Sequence, residues 1–197
     1  MGALAFVFSS GWASGLNCYL VVLVLGIADR VHDTEQVPNV LQRWDVLGVA
    51  AALFAMEFVA DKIPYIDSTW DAISTAIRPT AGAVVGVLIA GQADSLNGAV
   101  AAVVGGGTAL LSHTVKAGTR LAINASPEPL TNIAASVSED LAVLGVVWFA
   151  IQHPRAAAAI AALLLAGGLI LLYALAKLVR RGWRRWKGKD LRTAGQP

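Results

Sequence analysis

Long apolar runs separated by short polar stretches divide the chain into six predicted membrane segments. Most of these runs approach the roughly 20 residues that an α-helix needs to cross a bilayer. The predicted segments cover about residues 3–28, 44–61, 68–92, 99–120, 131–151 and 156–179. This pattern predicts an all-α, polytopic transmembrane helix bundle.

Several segments contain features that break or bend a helix, so we expect broken or re-entrant helices. Segment one carries small and polar residues, which favour a helix packed inside the bundle with a kink near residues 11–15. Segment three is long enough only if its helix starts near Ser68 and bends at Pro79. In segment five, Ser136 and Glu139 have capping-box spacing. A helix that begins at Ser136 is therefore the alternative there, and that segment would then be re-entrant.

The composition supports a membrane protein over a soluble one. Hydrophobic residues make up 56% of the 197 residues and charged residues 14%, whereas soluble domains carry about 25% charge. The length allows one transmembrane domain over residues 1–176 and a basic tail over residues 177–197. Cys18 is the single cysteine of the chain, which excludes an intrachain disulfide and a thiolate metal cluster.

The two halves of the predicted bundle resemble each other weakly. An Arg-Pro pair at residues 78–79 and a Pro-Arg pair at residues 154–155 each precede an apolar run rich in small residues. Three plus three segments would form an inverted repeat, a plan common in transporters. Chance similarity between low-complexity Ala/Gly/Leu runs is the alternative.

The basic tail predicts the orientation in the membrane. From Lys177 onward the chain has eight Lys/Arg and one acid, so we expect a cytoplasmic C-terminus in a bacterial inner membrane. Six spans would place the N-terminus on the same side. The expected partners are the lipid bilayer, anionic headgroups at the tail, and further copies of the chain in a homo-oligomer. The tail is one short amphipathic run, and we expect no nucleic-acid binding.

Charged residues inside the apolar segments are the candidate substrate- or ion-binding residues, because each costs roughly 2.5–3.5 kcal/mol at membrane depth. Such residues usually face a bundle interior and have partners. The set is Glu57, Asp61, Lys62, His113, Lys116, Arg120, Glu139 and Asp140.

Glu57 and Asp61 are four residues apart and share one helix face, which suits a proton or cation site. Alternatively, Asp61 and Lys62 lie at the membrane interface and only Glu57 is buried. The acids at positions 139 and 140 also fit the alternative helix start at Ser136, since acids favour a helix N-terminus.

His113, Lys116 and Arg120 share a face of segment four. Lys116 and Arg120 either extend to the headgroups or form buried ion pairs with the acids of segments two and five. For His113 a structural hydrogen bond is the expected role, because a single histidine is a poor metal signature.

Prolines and asparagines mark the predicted turns and helix breaks. These structural loop residues are Pro64, Pro79, Asn124, Pro127, Pro129 and Asn132. The sequence contains no nucleophile elbow, phosphate loop or zinc motif. We therefore expect no enzyme activity, cofactor or metal centre, and a lipid-modifying enzyme is the least supported class.

Several charged runs together resemble the bacterial membrane family DUF 4126. The resemblance covers roughly residues 1–176 and implies a multi-helix membrane protein, but no activity. It lies in Glu57–Pro64 with Asp67 and Trp70-Asp71, Arg78-Pro79, His113–Arg120, Asn124–Pro129 with Asn132, and Ser138-Glu139-Asp140.

The first functional hypothesis is a small inner-membrane carrier or channel for an ion or small polar solute. Buried carboxylates balanced by Lys116 and Arg120 would line its site. The alternative is a non-transporting membrane protein that binds lipid headgroups or stabilises a membrane complex. An open path past Glu57 would favour the first, and a lateral opening at Lys116 and Arg120 the second.

Overall fold

Six α-helices and one short 3₁₀ helix make up the computed structural model. It describes residues 2–63, 66–93, 95–124 and 129–193, with backbone alone for residues 129 and 184–193. The helices are α1 Gly2–His32, α2 Trp44–Ala60, α3 Ile66–Ala90, α4 Gly98–Asn124, α5 Pro129–Gln152 and α6 Pro154–Thr193, and the 3₁₀ helix is Asn39–Gln42. No strand occurs among the described residues. By length and composition, five helices could cross a membrane, namely α1, α3, α4, α5 and α6. The predicted all-α transmembrane bundle is confirmed.

Helix α1 consists of two helices that meet at Asn17. The backbone of Asn17 is non-helical, with φ −155° and ψ 93°. A straight helix of 31 residues would be about 46 Å long. Instead, Gly2 lines the same pocket as Gln36, which lies just beyond the other end of α1. The two arms, residues 2–16 and 18–32, therefore form a re-entrant hairpin with Asn17 at its tip.

The hairpin places Gly2 and the end of α6 at opposite ends of the bundle. Gly2 lies beside Pro154, where α6 begins. Helix α6 then runs parallel to α4, with Gly168 against Val115 and Leu172 against Gly118. We call the end of the bundle towards which α4 and α6 run the tail end; residues 33–43 lie at the opposite end. The prediction that both termini face the cytoplasm is wrong, because α1 returns to its starting side.

Glycines allow α1, α3 and α4 to pack backbone against backbone. A Cβ atom at Gly15 would collide with the carbonyl oxygen of Ala109, and one at Gly82 would lie 2.7 Å from that of Gly105. Close approach through small residues is a common means of helix association in membranes. Ser112 joins α4 to α1 by donating a hydrogen bond of 2.7 Å to the carbonyl oxygen of Trp12. These three helices form the tight centre of the bundle.

The re-entrant element of the bundle lies in segment one, whereas the sequence offered it as an alternative for segment five. Helix α5 is continuous from Pro129 and long enough to span, so the alternative helix start at Ser136 is wrong. A kink was predicted in segment one near residues 11–15, and the structure instead has a full break at Asn17. Helix α3 begins at Ile66 and continues through Pro79, as the longer alternative requires.

The remaining structural expectations have mixed outcomes. Pro79 and Asn132 lie inside helices, Asn124 ends α4, and Pro129 begins α5. Pro64 and Pro127 lie outside the described residues. Helix α6 continues through residue 176, and the boundary between membrane domain and tail stays a prediction, as does the inverted repeat.

Candidate functional site

Eight charged side chains form one connected network inside the bundle, which we call the ionic network. Eight ion pairs of 4.0 Å or less link them. Seven of the residues are at most 3% exposed, and the eighth has a side chain that is 17% exposed. The members are Glu57, Asp61, Asp67, Asp71, Arg78, Lys116, Arg120 and Glu139.

Helical spacing arranges most of the network as a ladder between α3 and α4. Asp67, Asp71 and Arg78 lie on one face of α3, since four and seven residues are close to one and two helical turns. Lys116 and Arg120 lie on the facing side of α4. The step of eleven residues from Asp67 to Arg78 corresponds to about 16 Å along the helix axis. The ladder therefore extends from the tail end over a length of about half the hydrocarbon thickness of a bilayer.

Arg78 forms the deep end of the ladder. Its Nη2 atom donates to Glu57 Oε1 at 2.5 Å, and its Nη1 atom lies 3.1 Å from Asp71 Oδ1. Nη1 is also 2.8 Å from His113 Nδ1. A guanidinium can only donate, so Nδ1 accepts and the Nε2–H group of His113 donates to Thr75 Oγ1 at 3.0 Å. His113 is therefore neutral in this arrangement, and its expected structural hydrogen bond is confirmed.

The tip of the α1 hairpin contacts the middle of the ladder. Lys116 Nζ donates to the carbonyl oxygen of Leu16 at 3.0 Å and to Asp61 Oδ2 at 2.7 Å. It also lies 3.5 Å from both Glu57 and Glu139. A cation is favourable at the carbonyl end of a helix, so the first arm and the carboxylates share this ammonium group.

Asn17 stabilises the start of the second arm of α1. Its Oδ1 atom accepts a hydrogen bond of 3.0 Å from the backbone N–H of Leu20, which is N-cap geometry. Its Nδ2 atom donates to Asp140 Oδ1 at 3.0 Å. The break in α1 is thus tied to α5, the helix that also carries Glu139.

Arg120 holds the part of the network nearest the tail end. It donates to Glu139 Oε2 at 2.8 Å and to Asn132 Oδ1 at 2.6 Å. Nearby, Asn124 Nδ2 donates to both carboxylate oxygens of Asp67, at 3.0 and 3.1 Å. These contacts join the end of α4 to the first parts of α3 and α5.

The structure brings together most of the predicted site residues. Lys116 and Arg120 form buried ion pairs with acids of segments two and five, so the alternative in which they extend to headgroups is wrong. Asp61 is 2% exposed, so the alternative in which only Glu57 is buried is wrong. Lys62 is separate, because its Nζ atom donates to the carbonyl oxygen of Phe58 at 2.8 Å. A role of any of these residues in binding stays a prediction.

Four residues of the site were missed by the sequence analysis: Asn17, Asp67, Asp71 and Arg78. The last three could have been found, since they share one face of a helix that is otherwise largely apolar. The Arg-Pro pair at residues 78–79 was interpreted only as a bend in the helix and as part of a possible repeat. Asn17 gave no such signal, because its cap and its bond to Asp140 depend on the fold of the hairpin.

The network alternates positive and negative groups and does not gather ligands at one point. Among the described residues, no group of three or more His, Cys, Asp or Glu side chains could hold a metal ion. The basic groups of α3 and α4 lie between the carboxylates. The arrangement suits charge sharing and proton exchange more than coordination of a metal.

Comparison with known proteins places the chain in a family. No curated protein and no solved structure is similar enough to count as a match. A family model described as a domain of unknown function, DUF4126, matches residues 4–174. The match includes every member of the ionic network and the whole α1 hairpin except its first residues. The chain, a multi-helix protein with five helices that could cross a membrane, therefore belongs to the DUF4126 family.

Proposed function

We propose that this protein is a small carrier or channel of the bacterial inner membrane for an ion or small polar solute. The observation that carries the proposal is the buried ionic network at the tip of a re-entrant hairpin. In this proposal the network lines the site, and the basic tail lies against the cytoplasmic leaflet.

The broken helix supports transport because of what it presents at membrane depth. Irregular backbone is tolerated there only against protein or a water-filled cavity. Transporters commonly form their ion sites where broken helices expose backbone groups near the middle of the membrane. Here the carbonyl oxygens of Gly15 and Leu16 accept hydrogen bonds from Arg78 and Lys116. The same cations pair with Glu57, so backbone and carboxylates form one polar site.

The energy of a buried charge network also supports a functional role. Well-packed apolar residues in place of a buried ion pair are often neutral or stabilising by about 1–4 kcal/mol. Stability alone therefore gives little reason to keep eight charged groups in the interior. Ionisable groups inside a membrane domain usually mark an ion or proton path.

The lipid-binding alternative has less support from the geometry. Lys116 and Arg120 are 2% and 1% exposed, and carboxylates occupy their donor groups. A headgroup phosphate would have to displace Asp61 or Glu139 to reach them. An anionic leaflet is instead a suitable partner for the exposed Lys177, Arg180 and Arg181 near the tail end.

Reconstituted liposomes test the transport proposal. We expect wild-type protein to carry a pH-dependent flux of protons, alkali cations or small anions, and Glu57→Gln to lower that flux. Gln keeps a hydrogen-bond acceptor for Arg78 but cannot ionise. Liposomes that stay tight to all three classes of ion would overturn the proposal.

Asp45→Asn provides the matched control. Asp45 pairs with Arg43 on the surface, and both side chains are 63% exposed. The substitution also removes one carboxylate and should leave the flux unchanged. A loss of flux equal to that of Glu57→Gln would mean that the effect is not specific to the buried network.

A further inference from the structure

The ionic network has more acids than bases. Five carboxylates, those of Glu57, Asp61, Asp67, Asp71 and Glu139, meet three basic groups. His113 adds no charge, because its Nδ1 atom accepts from Arg78. Lys62 and Asp140 lie outside the network, interact electrostatically and carry opposite charges, so they leave the balance unchanged. With every acid ionised, the interior would hold two uncompensated negative charges.

Such an imbalance is costly enough to be relieved by protonation. An isolated carboxylate in a low-dielectric interior is so unfavourable that the group binds a proton instead. The contacts of each acid determine which carboxyl group accepts the proton.

Three acids each have a basic partner of their own. Arg120 donates to Glu139 at 2.8 Å, and Lys116 donates to Asp61 at 2.7 Å. The Glu57 carboxylate accepts from Arg78 at 2.5 Å. Charge-assisted hydrogen bonds of this length favour the ionised acid. Asp67 and Asp71 are left without a close cation of their own.

Asp67 is held in its ionised form by neutral donors. Asn124 donates to both of its oxygens, and the backbone N–H of Ser68 donates to Oδ1 at 2.6 Å. Asp67 also lies in the first turn of α3, where the helix dipole favours a negative charge. Arg120 lies 3.9 Å away.

Asp71 has none of these supports. Its side chain is 4% exposed, and neither carboxyl oxygen has a hydrogen-bond partner among the described residues. Its nearest cation, Arg78 at 3.1 Å, already pairs with Glu57. Charged groups from three other parts of the bundle act on it, namely Lys116 on α4, Asp61 directly after α2 and Glu139 on α5. His113 on α4 lies beside its backbone.

We propose that Asp71 is a carboxylic acid at neutral pH and that the ligand of the ionic network is a proton. Binding forms one O–H bond on the Asp71 carboxylate and converts a hydronium ion from the tail end to water. Loss of the proton would make Asp71 compete with Glu57 for Arg78. A proton is then the ligand of the proposed transport site, and the functional role of this protonation rests on the transport proposal.

Infrared spectroscopy of the protein in lipid nanodiscs tests the protonation state directly. A carboxylic acid has a C=O stretching band that a carboxylate lacks. We expect wild-type protein at neutral pH to show this band, and Asp71→Asn to lose it. Asp67→Asn makes the same change one turn away and should keep the band. Absence of the band in the wild type, or its persistence in Asp71→Asn, would overturn the proposal.

Isotope labelling keeps the test decisive if Asp71→Asn does not fold. Carbon-13 in the aspartate carboxyl groups of wild-type protein should shift the band to lower frequency, and the same label in glutamate should not. A shift with the glutamate label would move the proton to Glu57 or Glu139 and overturn the assignment. Flux measured on the same protein preparation, reconstituted into liposomes, separates the two proposals. If the carboxylic-acid band is present but the liposomes stay tight, only the transport proposal is contradicted. If the liposomes carry a flux but the band is absent, only the protonation of Asp71 is contradicted.

Discussion

At the scale of single residues, Arg78 is the side chain on which the buried Glu57 carboxylate depends. It pairs with Glu57, lies beside Asp71 and orients His113. Arg78→Ala would leave the Glu57 carboxylate without its nearest cation in a site that is 0–3% exposed. We expect a loss of about 3–5 kcal/mol in unfolding free energy, the usual cost of removing one partner of a buried pair. Denaturation in detergent followed by circular dichroism measures it.

Arg43→Ala is the control at the same scale. Arg43 also pairs with an aspartate, but both side chains are mostly exposed to the surroundings. Solvent-exposed ion pairs contribute little to stability, so the midpoint of unfolding should hardly move. If Arg78→Ala unfolds at the same denaturant concentration as Arg43→Ala, the Arg78 pairs are not buried as described.

At the scale of elements, the first arm of α1 depends on its close approach to α4. Gly15→Ala would place a methyl group against the carbonyl oxygen of Ala109 and the hydroxyl group of Ser112. The two backbones would have to separate, which would also disturb the contact between Lys116 and Leu16. We expect a loss of roughly 1–3 kcal/mol, as for other overpacked interiors, in the same unfolding measurement.

Gly107→Ala is the matched substitution at an open position. A Cβ atom there would meet nothing within 4 Å, and Gly107 lies inside α4. Alanine in a helix interior is favoured over glycine by about 0.5–1 kcal/mol, so this variant should be as stable as the wild type or more stable. Equal destabilisation by both substitutions would contradict the packing of α1 on α4.

At the scale of the whole molecule, the re-entrant hairpin determines the membrane topology. In a Cys18→Ser background, Gly2→Cys and Gln36→Cys should react with an impermeant maleimide from the same side of the membrane. Lys177→Cys should react from the other side, the cytoplasmic one according to the basic tail. Labelling of Gly2→Cys and Gln36→Cys from opposite sides would mean that α1 crosses the membrane as a single span.

Much of this molecule was determined by local sequence. Apolar runs of sufficient length predicted the helices α2 to α6 to within a few residues at most ends, because a bilayer requires helices with satisfied backbones. The cost of a charge in that setting marked Glu57, Lys116, Arg120 and Glu139 as candidate site residues, with buried ion pairs as one of the alternatives for Lys116 and Arg120. Both conclusions are independent of which helices are neighbours in the bundle.

The tertiary structure alone decided how α1 folds and which charges meet. Asn17 breaks the helix because its side chain caps the second arm and bonds Asp140, which is 123 residues away. Arg78 belongs to the site because α3 and α4 are antiparallel neighbours, which brings it to His113 and Glu57. Partners so distant in sequence leave no spacing signal, since their contact arises from packing and not from helical periodicity.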